Sequence, residues 1–586
     1  MFRDFFASVP LRLQTLIQLI RSLGPFGRVA FVVLLATFVT STLGAIYFIN
    51  TRIMVAVPAR GGTYTEGIVG TPRFINPLLA ISSADHDLTA LVYAGLLKTD
   101  PSGSLIPALA SGYDVSADGT VYTVYIRPDA RFQDHTPVTA DDVVFTVSKA
   151  QDPALKSPLR ANWQGIAASI IDSHTVRFIL PKPYAPFTEN LTLGILPKHL
   201  WQSVTASEFP FSTLNEQPVG AGPYQIDSVA HDASGLPSAY KLSAFSDYEL
   251  GEPFITHITL NCYANEDALV AALRGGDVMG GGGISPANLS KVKGMHVVSI
   301  SLNRVFGVFF NQNQSAVLRD RAVRVALNTA VDKWALVNAT LGGYAEPLDG
   351  PIPPAMLQTN GSGAAAGRMH VGNLTAAKAQ LIADGWQPDA NGVLQKTAIV
   401  GKTTQTQPLS FTISTGNIPE LVTVANYLKQ QWAQIGVQAT VAVYEPGDLS
   451  ENAIRPRKYD ALLFGEVIGR GVDLFAFWDS SQRNDPGLNI ALYANSSVDA
   501  LLAKVRNAPN DAGRAAWYTA IDQQIIADVP AVFLYAPEYV YVLPNTIHGA
   551  TFGVMEDPSD RFATINQWYI RTDHIWPIFV HAASTQ

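Results

Sequence analysis

Cysteine, charged residues and cofactor-binding motifs are all scarce in this chain of 586 residues. Cys262 is the only cysteine, which excludes an internal disulfide and a cysteine-based zinc site. Charged residues make up only 15% of the sequence, whereas hydrophobic residues make up 47%. This composition is typical of a globular protein with a polar, weakly charged surface, and the length predicts more than one compact region.

No complete nucleotide-binding or catalytic motif is present. The stretch 401–403 (GKT) lacks the earlier glycine of a phosphate-binding loop, because Lys396 occupies that position. The closest two histidines, His574 and His581, do not have the i, i+4 spacing of a helical zinc site. No GxSxG nucleophile elbow occurs. We therefore expect no cofactor, no metal and no catalytic residue. An anchored extracellular hydrolase that uses paired carboxylates stays open as the alternative of another class.

Positive charge is scarce beyond the N-terminus. The net charge is −8, and four arginines with one aspartate give the first 28 residues a charge of +3, which leaves −11 on the remainder. Nucleic-acid-binding surfaces need clustered lysine and arginine. The sequence thus predicts no nucleic-acid partner.

The longest apolar run covers residues 29–49 and contains no charged side chain. At about 1.5 Å per helical residue, this run spans the hydrocarbon layer of a membrane. The basic leader, residues 1–28, precedes it and indicates a cytoplasmic N-terminus with the body on the extracytoplasmic side. The sequence predicts a single-pass anchor in the cell membrane. A cleaved signal and a buried core helix remain alternatives.

Beyond the anchor, residues 50–62 form a predicted tether, and strands and helices then alternate irregularly. Val121–Arg127 alternates as a strand does. Asn265 is predicted to begin a helix that ends at 275–276 (GG). No repeat of solenoid or propeller length is present. The pattern indicates a mixed α+β and α/β protein with two lobes.

A second helix is predicted from Asp320, over the stretch DRAVRVALNTAVDKWAL. The helical period places Val323, Leu327, Ala330 and Trp334 on one face. Such a stripe usually packs against a core.

Several stretches follow one another in a recognisable order between about residues 60 and 570. They are LVYAGLLKTDPSG from Leu91 with the segment that continues to VTADDVVFTV, PVGAGPYQI from Pro218, NEDALVAALRGGDV from Asn265, FFNQNQSAVLRDRAVRVALNTAVDK from Phe309, LIADGW, IGVQATV and KYDALLFG. Together they resemble the family 5 extracellular solute-binding proteins, which include the oligopeptide- and dipeptide-binding receptors of ABC importers. One departure is that the family's F-x-D-G turn reads 132–135 (FQDH) here.

The resemblance implies a two-lobed, periplasmic-binding-protein-like clamp of type II, in the peptide-binding class, behind the transmembrane helix. Lobe 1 is predicted to comprise residues 63–308 plus 545–586, including an inserted subdomain. Lobe 2 is predicted to comprise residues 309–544. Two chain crossings between the lobes imply a hinge that encloses ligand on closing.

In peptide-binding members of the family, two segments flank the ligand and bind its backbone as added strands do. By position, the resemblance assigns this role to Ile81, Ser82 and Ser83 in lobe 1. The corresponding segment of lobe 2 is Gly465, Glu466 and Val467. Glycine there would let backbone approach the ligand closely.

One position departs from the peptide-binding pattern. Those members have an aspartate that pairs with the ligand's α-ammonium group, and Gly469 occupies its place here. Glu466 or Asp473 is predicted to substitute for it, and Arg470 could instead bind a carboxylate.

Two tryptophans, Trp163 and Trp478, are predicted pocket aromatics, with ordinary core packing as the alternative.

We therefore expect the substrate-binding component of an ABC importer, which performs no chemistry and delivers peptides to a permease with separate ATPase subunits. The alternatives within this class are receptors for nickel chelates, sugars or opines. A binding module of the same fold without a permease is a further alternative.

Overall fold

The structure is a computed structural model that describes residues 22–576 except 53, 354–355, 357–370, 401–402, 470–471 and 509–512. The chain forms two compact units. The terminal unit comprises the described parts of residues 1–59 and 569–586, and the main unit comprises those of residues 60–568.

The terminal unit contains a long apolar helix and a two-stranded sheet. The helix, Pro25–Arg52, includes the whole predicted span 29–49. Its segment Pro25–Ile49 has a mean hydropathy of 2.2 and is long enough to cross a membrane. Strand β1, Val55–Ala59, pairs antiparallel with β23, Arg571–Ile575. Part of the predicted tether 50–62 is therefore a paired strand.

The main unit holds the other strands. They are β2 Thr63–Val69, β3 Leu97–Thr99, β4 Leu105–Pro107, β5 Ala110–Val115, β6 Val121–Ile126, β7 Ala167–Asp172, β8 Thr175–Ile179, β9 Tyr224–His231, β10 Pro237–Ala244, β11 His257–Tyr263, β12 Gly280–Gly282, β13 Val297–Ser301, β14 Arg304–Phe310, β15 Ala345–Pro347, β16 Gln387–Pro388, β17 Leu394–Val400, β18 Thr403–Pro408, β19 Ser410–Gly416, β20 Gln438–Tyr444, β21 Ala461–Val467 and β22 Ala531–Val542.

Helices of at least two turns alternate with these strands. They are Ser83–Val92, Ala140–Gln151, Glu266–Gly275, Arg321–Ala330, Lys333–Leu341, Leu374–Ala383, Pro419–Ala433, Ser496–Asn507 and Arg514–Asp528. Single turns of α-helix are Arg160–Trp163, Phe187–Asn190, Lys198–Trp201, Ala316–Arg319, Pro446–Leu449 and Phe475–Trp478.

One sheet of 12 strands runs through the main unit, and β22 is shared between its two halves. Residues 531–537 of β22 pair with β14 and β15. Residues 538–542 pair instead with β13 and β12. The strand partners therefore change between residues 537 and 538 of β22, and again between β13 and β14. We use these two points to divide the main unit. Residues 60–302 and 538–568 are called lobe 1, and residues 303–537 are called lobe 2. The predicted boundaries at 308 and 544 remain predictions.

The sheet in lobe 2 is covered by apolar side chains on both faces. Val308 and Phe310 of β14 belong to one buried cluster, and Phe309 belongs to the other. In β21, Leu463 belongs to the same cluster as Val308, and Leu462 belongs to the same cluster as Phe309. This follows from the two-residue period of a strand, which sends successive side chains to opposite faces.

The predicted helix in lobe 1 is confirmed. Asn265 is its N-cap and accepts a hydrogen bond from the Ala268 amide at 2.9 Å. Gly276 ends the helix with φ 79°, in the left-handed region that favours glycine. The alternation predicted in β6 is present too, because Tyr122, Val124 and Ile126 are its buried positions.

The helix predicted from Asp320 is wrong in its length. It ends at Ala330, and Asp332 caps a second helix by accepting from the Ala335 amide at 2.8 Å. The break turns Trp334 away from the predicted stripe, and its side chain is 48% exposed. The apolar periodicity predicted that the helix continues past Ala330. The Asp332 side chain instead binds a backbone amide and begins a new helix there.

His135 occupies the position of the family's turn glycine and adopts φ 66°. This conformation is uncommon for residues other than glycine. The His135 amide donates to the Phe132 carbonyl at 2.8 Å, which closes the turn without glycine.

Candidate functional site

A cavity of ≈330 Å³ lies between the two lobes of the main unit. Lobe 2 contributes Gly469 and Asp473 to its wall. Lobe 1 contributes the remaining lining, which consists of Thr99, Leu105, Leu159, Asn162, Trp163, Tyr184, Pro186, Glu189, Asn190, Thr192, Leu193 and Glu556. We call this cavity the cleft. Its mixed polar and apolar wall and its position between lobes are typical of a ligand site.

The lobes touch beside the cleft, through Tyr184 and Ala185 of lobe 1. The Ala185 amide donates to the Arg506 carbonyl at 3.0 Å. The Tyr184 hydroxyl donates to Asp473 Oδ2 at 3.4 Å, and Arg506 Nε lies 3.4 Å from the same oxygen. Burial, and then the charge of Asp473, raises the pKa of Tyr184, so its hydroxyl stays a donor at neutral pH. Asp473 therefore belongs both to the cleft wall and to the contact between lobes.

Two carboxylates of lobe 1 lie near Gly469, the position at which the resemblance predicts a change from aspartate. A Cβ atom added to Gly469 would lie 3.7 Å from Glu189 Oε2 and 3.9 Å from Glu556 Oε1. An aspartate at this position would bring a third carboxyl group next to both. The cleft thus has acidic groups around residue 469, contributed by the opposite lobe.

The predicted segment of lobe 2 lies at an uncovered strand edge. Gly465, Glu466 and Val467 end β21 and pair on one side with residues 304–306 of β14. On the other side, β19 pairs only with positions 461–462. In the part of the chain that the structure describes, no strand covers that edge from 463 onward, although the Thr415 hydroxyl donates to the Leu463 carbonyl there at 3.1 Å. An uncovered edge presents backbone donors and acceptors that an extended ligand can pair with.

Glu466 itself is buried, with only 3% of the residue exposed. The strand period places it on the same face as Leu462 and Phe464, which pack in an apolar cluster. Neither carboxyl oxygen has a hydrogen-bond partner among the described residues. Burial raises the pKa of Glu466 well above its usual value of 4.5. Burial therefore disfavours the charged form of Glu466, and its role as an ammonium partner remains a prediction.

The predicted segment of lobe 1 is a helix start rather than an extended strand. Ser82 is the N-cap of the helix Ser83–Val92, and its hydroxyl oxygen accepts from the Asp85 amide at 3.1 Å. Asp85 Oδ2 accepts from the amides of Ile81 and Ser82 at 3.2 and 3.0 Å. Burial opposes ionisation, but several backbone donors outweigh it and lower the pKa of Asp85. The amides of Ile81 and Ser82 are thus already bonded, while the Ile81 side chain is 73% exposed.

The two predicted pocket tryptophans occupy different places. Trp163 lines the cleft and packs against Phe178 and Phe187, with ring centres 6.0 and 5.9 Å away. Trp478 is completely buried among Phe309 and other rings of the lobe 2 core. Large planar rings fill such cores well, and Trp478 is not part of the cleft wall.

Arg470 lies outside the described residues. Among the residues that are described, no group of three or more histidine, cysteine, aspartate or glutamate side chains could hold a metal ion.

Sequence reasoning missed Glu189, Glu556 and Asp85 as determinants of this site. Asp85 had a local signal, because Ser82-x-x-Asp85 has the spacing of a capping box. Glu189 and Glu556 had none, since they approach residue 469 only through the packing of distant segments.

Comparison with known proteins places the cleft in context. The sequence model of the bacterial extracellular solute-binding proteins, family 5 Middle, matches residues 104–486. The oligopeptide-binding protein AppA of Bacillus subtilis is 26% identical over 531 residues, which cover 88% of this chain and 92% of that protein.

Two solved structures are similar over nearly their whole length. The ABC transporter substrate-binding protein CtaP of Listeria monocytogenes has a TM-score of 0.72 and 26% identity, covering 87% of this chain and 99% of that one. AppA of Bacillus subtilis in complex with a nonapeptide has a TM-score of 0.67 and 25% identity, covering 88% and 100%.

Proposed function

The chain belongs to the bacterial extracellular solute-binding proteins of family 5, and on that premise we propose that it is the peptide-binding component of an ABC importer. It captures a peptide in the cleft between its lobes and delivers it to a permease, whose ATPase subunits supply the energy. It performs no chemistry on the peptide.

The uncovered edge of β21 is the observation that carries this proposal. Residues 463–467 end beside Gly469, which lines the cleft. A peptide in extended conformation can add to this edge by backbone hydrogen bonds, and those bonds do not depend on its side chains. Such pairing suits peptides better than sugars, which have no regular series of amide donors and acceptors.

The acidic wall supports a ligand that carries a positive group. Glu189 and Glu556 approach residue 469, and Asp473 lies in the same wall. Carboxylates in a partly enclosed cleft attract an ammonium group more strongly than they do in bulk water. We infer that they recognise the peptide's amino terminus in place of the aspartate that Gly469 replaces.

The helix Pro25–Arg52 is proposed to anchor the protein in the cell membrane, with the main unit on the extracytoplasmic side. Its apolar length supports the anchor, and the positive leader supports the orientation.

The test is a thermal melt of the full chain in mild detergent against pools of di- to octapeptides, nickel chelates and oligosaccharides. A ligand at about 100 times its dissociation constant adds about 2.7 kcal/mol to stability, enough to raise the melting midpoint measurably. We expect a shift with peptides, and mass spectrometry should recover those peptides intact. A shift with another pool only would overturn the proposed ligand class, and cleaved peptides would overturn the proposal that the protein performs no chemistry.

A further inference from the structure

Gly465 lies in the middle of the uncovered edge of β21, and its own backbone groups face that edge. The Thr415 hydroxyl donates to the Leu463 carbonyl at 3.1 Å from the side opposite β14. On the side of β14, the Ile468 amide donates to the Asn303 carbonyl at 2.9 Å. The backbone groups of successive residues alternate between the two sides of a strand. Those of Gly465 therefore point the same way as those of Leu463, and a strand that adds to this edge can pair with them.

The space above Gly465 is occupied by the ring of Phe306, its partner on β14. A Cβ atom added to Gly465 would lie 2.6, 2.7 and 3.1 Å from three atoms of that ring. Non-bonded carbon atoms are best separated by about 3.5–4.0 Å, so a side chain at residue 465 would displace the ring. Glycine at this position makes room for Phe306 to reach across β21 toward the uncovered edge.

The Phe306 ring is supported on its other side by Tyr535 of β22. The two rings stack with centres 5.2 Å apart and planes 12° apart. Tyr535 is buried, whereas Phe306 is only partly buried against the core of lobe 2. Val467 is exposed two residues along β21 from Gly465, on the same face of the sheet. The end of β21 therefore carries an apolar surface whose main element is the accessible part of the Phe306 ring.

A ligand strand on this edge would place one side chain against the ring. Residues that lie opposite each other in neighbouring strands project their side chains to the same face of the sheet. The ligand residue opposite Gly465 therefore points to the face on which the Phe306 ring lies. Neighbouring strands are about 4.8 Å apart, and Gly465 has no side chain that would separate the two groups.

The chemistry of this contact favours an aromatic ligand group over a cationic one. Burial, and then the charge of Glu420, raises the pKa of Tyr535, so an acid lies near the far side of the ring pair. The three atoms closest to a Cβ at residue 465 nevertheless all belong to the uncharged Phe306 ring. Aromatic pairs in offset or edge-to-face arrangements are more stable than their buried area alone accounts for.

We propose that Phe306 is a specificity-determining residue that selects an aromatic side chain at the ligand position opposite Gly465. This inference rests on the proposed function and deepens it, because it identifies one side chain of the captured peptide. Gly465 acts in this selection by leaving the ring its place.

The test uses tetra-alanine in which phenylalanine or cyclohexylalanine replaces alanine at each position in turn. The two side chains have the same carbon skeleton, but only the first is aromatic. Affinities are measured by calorimetry with the full chain in detergent. At one position, we expect phenylalanine to bind about fivefold more tightly than cyclohexylalanine. Phe306→Leu should reduce that preference to less than about twofold.

Gly465→Ala is a second variant that acts on the same ring without removing it. Its added Cβ would lie 2.6 Å from the present position of the ring, so the ring must move and the preference should fall here too. Tyr427→Leu is the matched control, because Tyr427 packs partly buried against the same core cluster from the helix Pro419–Ala433. It should keep the preference for phenylalanine.

Three results would overturn the proposal. The first is equal binding of the phenylalanine and cyclohexylalanine peptides at every position. The second is a preference that persists in Phe306→Leu or in Gly465→Ala. The third is tighter binding of a lysine peptide than of the phenylalanine peptide at the selected position, which would identify a cation site governed by Glu420.

Failure of all these peptides to bind is a different result. It would contradict the proposed function itself, and the inference about Phe306 would fall with it because no peptide strand would then add to β21. Binding without an aromatic preference would leave the proposed function standing and overturn only the role of Phe306.

Discussion

Lobe 1 buries the neighbouring carboxyl groups of Glu66 and Asp87 almost completely, and lobe 2 buries that of Glu466, yet the surroundings in the two lobes are opposite. In lobe 1, Arg561 donates to both oxygens of Asp87 at 2.6 and 2.8 Å and from Nε to Glu66 at 2.9 Å. The Tyr541 hydroxyl donates to the other oxygen of Glu66 at 2.7 Å. In lobe 2, Glu466 is bonded to none of the described residues.

The difference shows that burial alone does not decide whether a side chain is charged. Arg561 is 1% exposed and Glu466 is 3% exposed. Burial opposes the charge of Arg561, but Asp87 and Glu66 outweigh that effect and hold the pKa of Arg561 well above its usual value. Among the described residues, no partner opposes burial at Glu466, and its pKa rises well above its usual value. Burial raises the pKa of Asp87 as well, but there Arg561 opposes the rise, whereas burial is the cause of the shift at Glu466.

Replacing Arg561, the partner that Glu66 and Asp87 share in lobe 1, should change the stability of the protein more than any other substitution considered. Arg561→Met leaves Glu66 and Asp87 buried without a counter-charge, which should cost about 3–5 kcal/mol of stability. The measurement is the urea midpoint of the full chain in detergent. Arg60→Met is the control, because Arg60 is 57% exposed and its pair with Glu252 should contribute less than about 1 kcal/mol. Equal effects of the two variants would contradict this account of the network.

In lobe 2, replacing the buried carboxyl group should increase the stability of the protein rather than decrease it. Glu466→Met replaces a carboxyl group that has no partner among the described residues by an apolar side chain of similar length. It should raise the free energy of unfolding by about 1–3 kcal/mol at neutral pH. The same urea midpoint measures it. Destabilisation would mean that Glu466 has a stabilising partner. A loss of peptide affinity without loss of stability would instead favour the role in ligand binding predicted from sequence.

The dependence of stability on pH sharpens the same comparison. Because the pKa of folded Glu466 is raised, the folded state holds a proton that the unfolded state releases above about pH 4.5. The contribution of Glu466 is fully present below that pH and is lost as pH rises toward the raised pKa. Wild type should therefore lose up to about 1.4 kcal/mol per pH unit relative to Glu466→Met in this window. Parallel curves of midpoint against pH for the two proteins would contradict a raised pKa.

The smallest change in free energy is expected at the partly exposed contact between the lobes, and it should appear in peptide affinity. Tyr184→Phe removes the hydroxyl that reaches Asp473 at 3.4 Å. A single hydrogen bond of this kind contributes about 0.5–1.5 kcal/mol, so peptide affinity should fall by no more than about 10-fold. Calorimetry of wild type and variant measures the difference. A much larger loss would mean that Tyr184 binds the ligand directly.

Much of the fold could be predicted because its signals are local. Asn265, the glycines at 275–276 and the alternation in β6 act on neighbours a few residues away, and each prediction is confirmed. The helix from Asp320 was predicted too long, since a stripe of apolar residues continued past the cap formed by Asp332.

The candidate site was less predictable. Position along the family pattern indicated Gly465–Val467, and the structure adds that this strand edge is uncovered. It also shows that the amides of Ile81 and Ser82 are bonded to Asp85. Whether the predicted side chains contact ligand remains a prediction.

The sequence by itself determined the apolar span at the N-terminus, the family and its two-lobed architecture, and the ends of the helix that begins after Asn265. These depend on runs, periods and capping residues that lie close together along the chain. Only the tertiary structure decided which carboxyl groups are buried with a partner and which lie near Gly469. Arg561 meets Glu66 across 495 residues of sequence, and Glu466 meets no hydrogen-bond partner among the described residues despite its polar side chain. The free energy of a buried charge depends on the atoms around it in space, and no local pattern specifies those atoms.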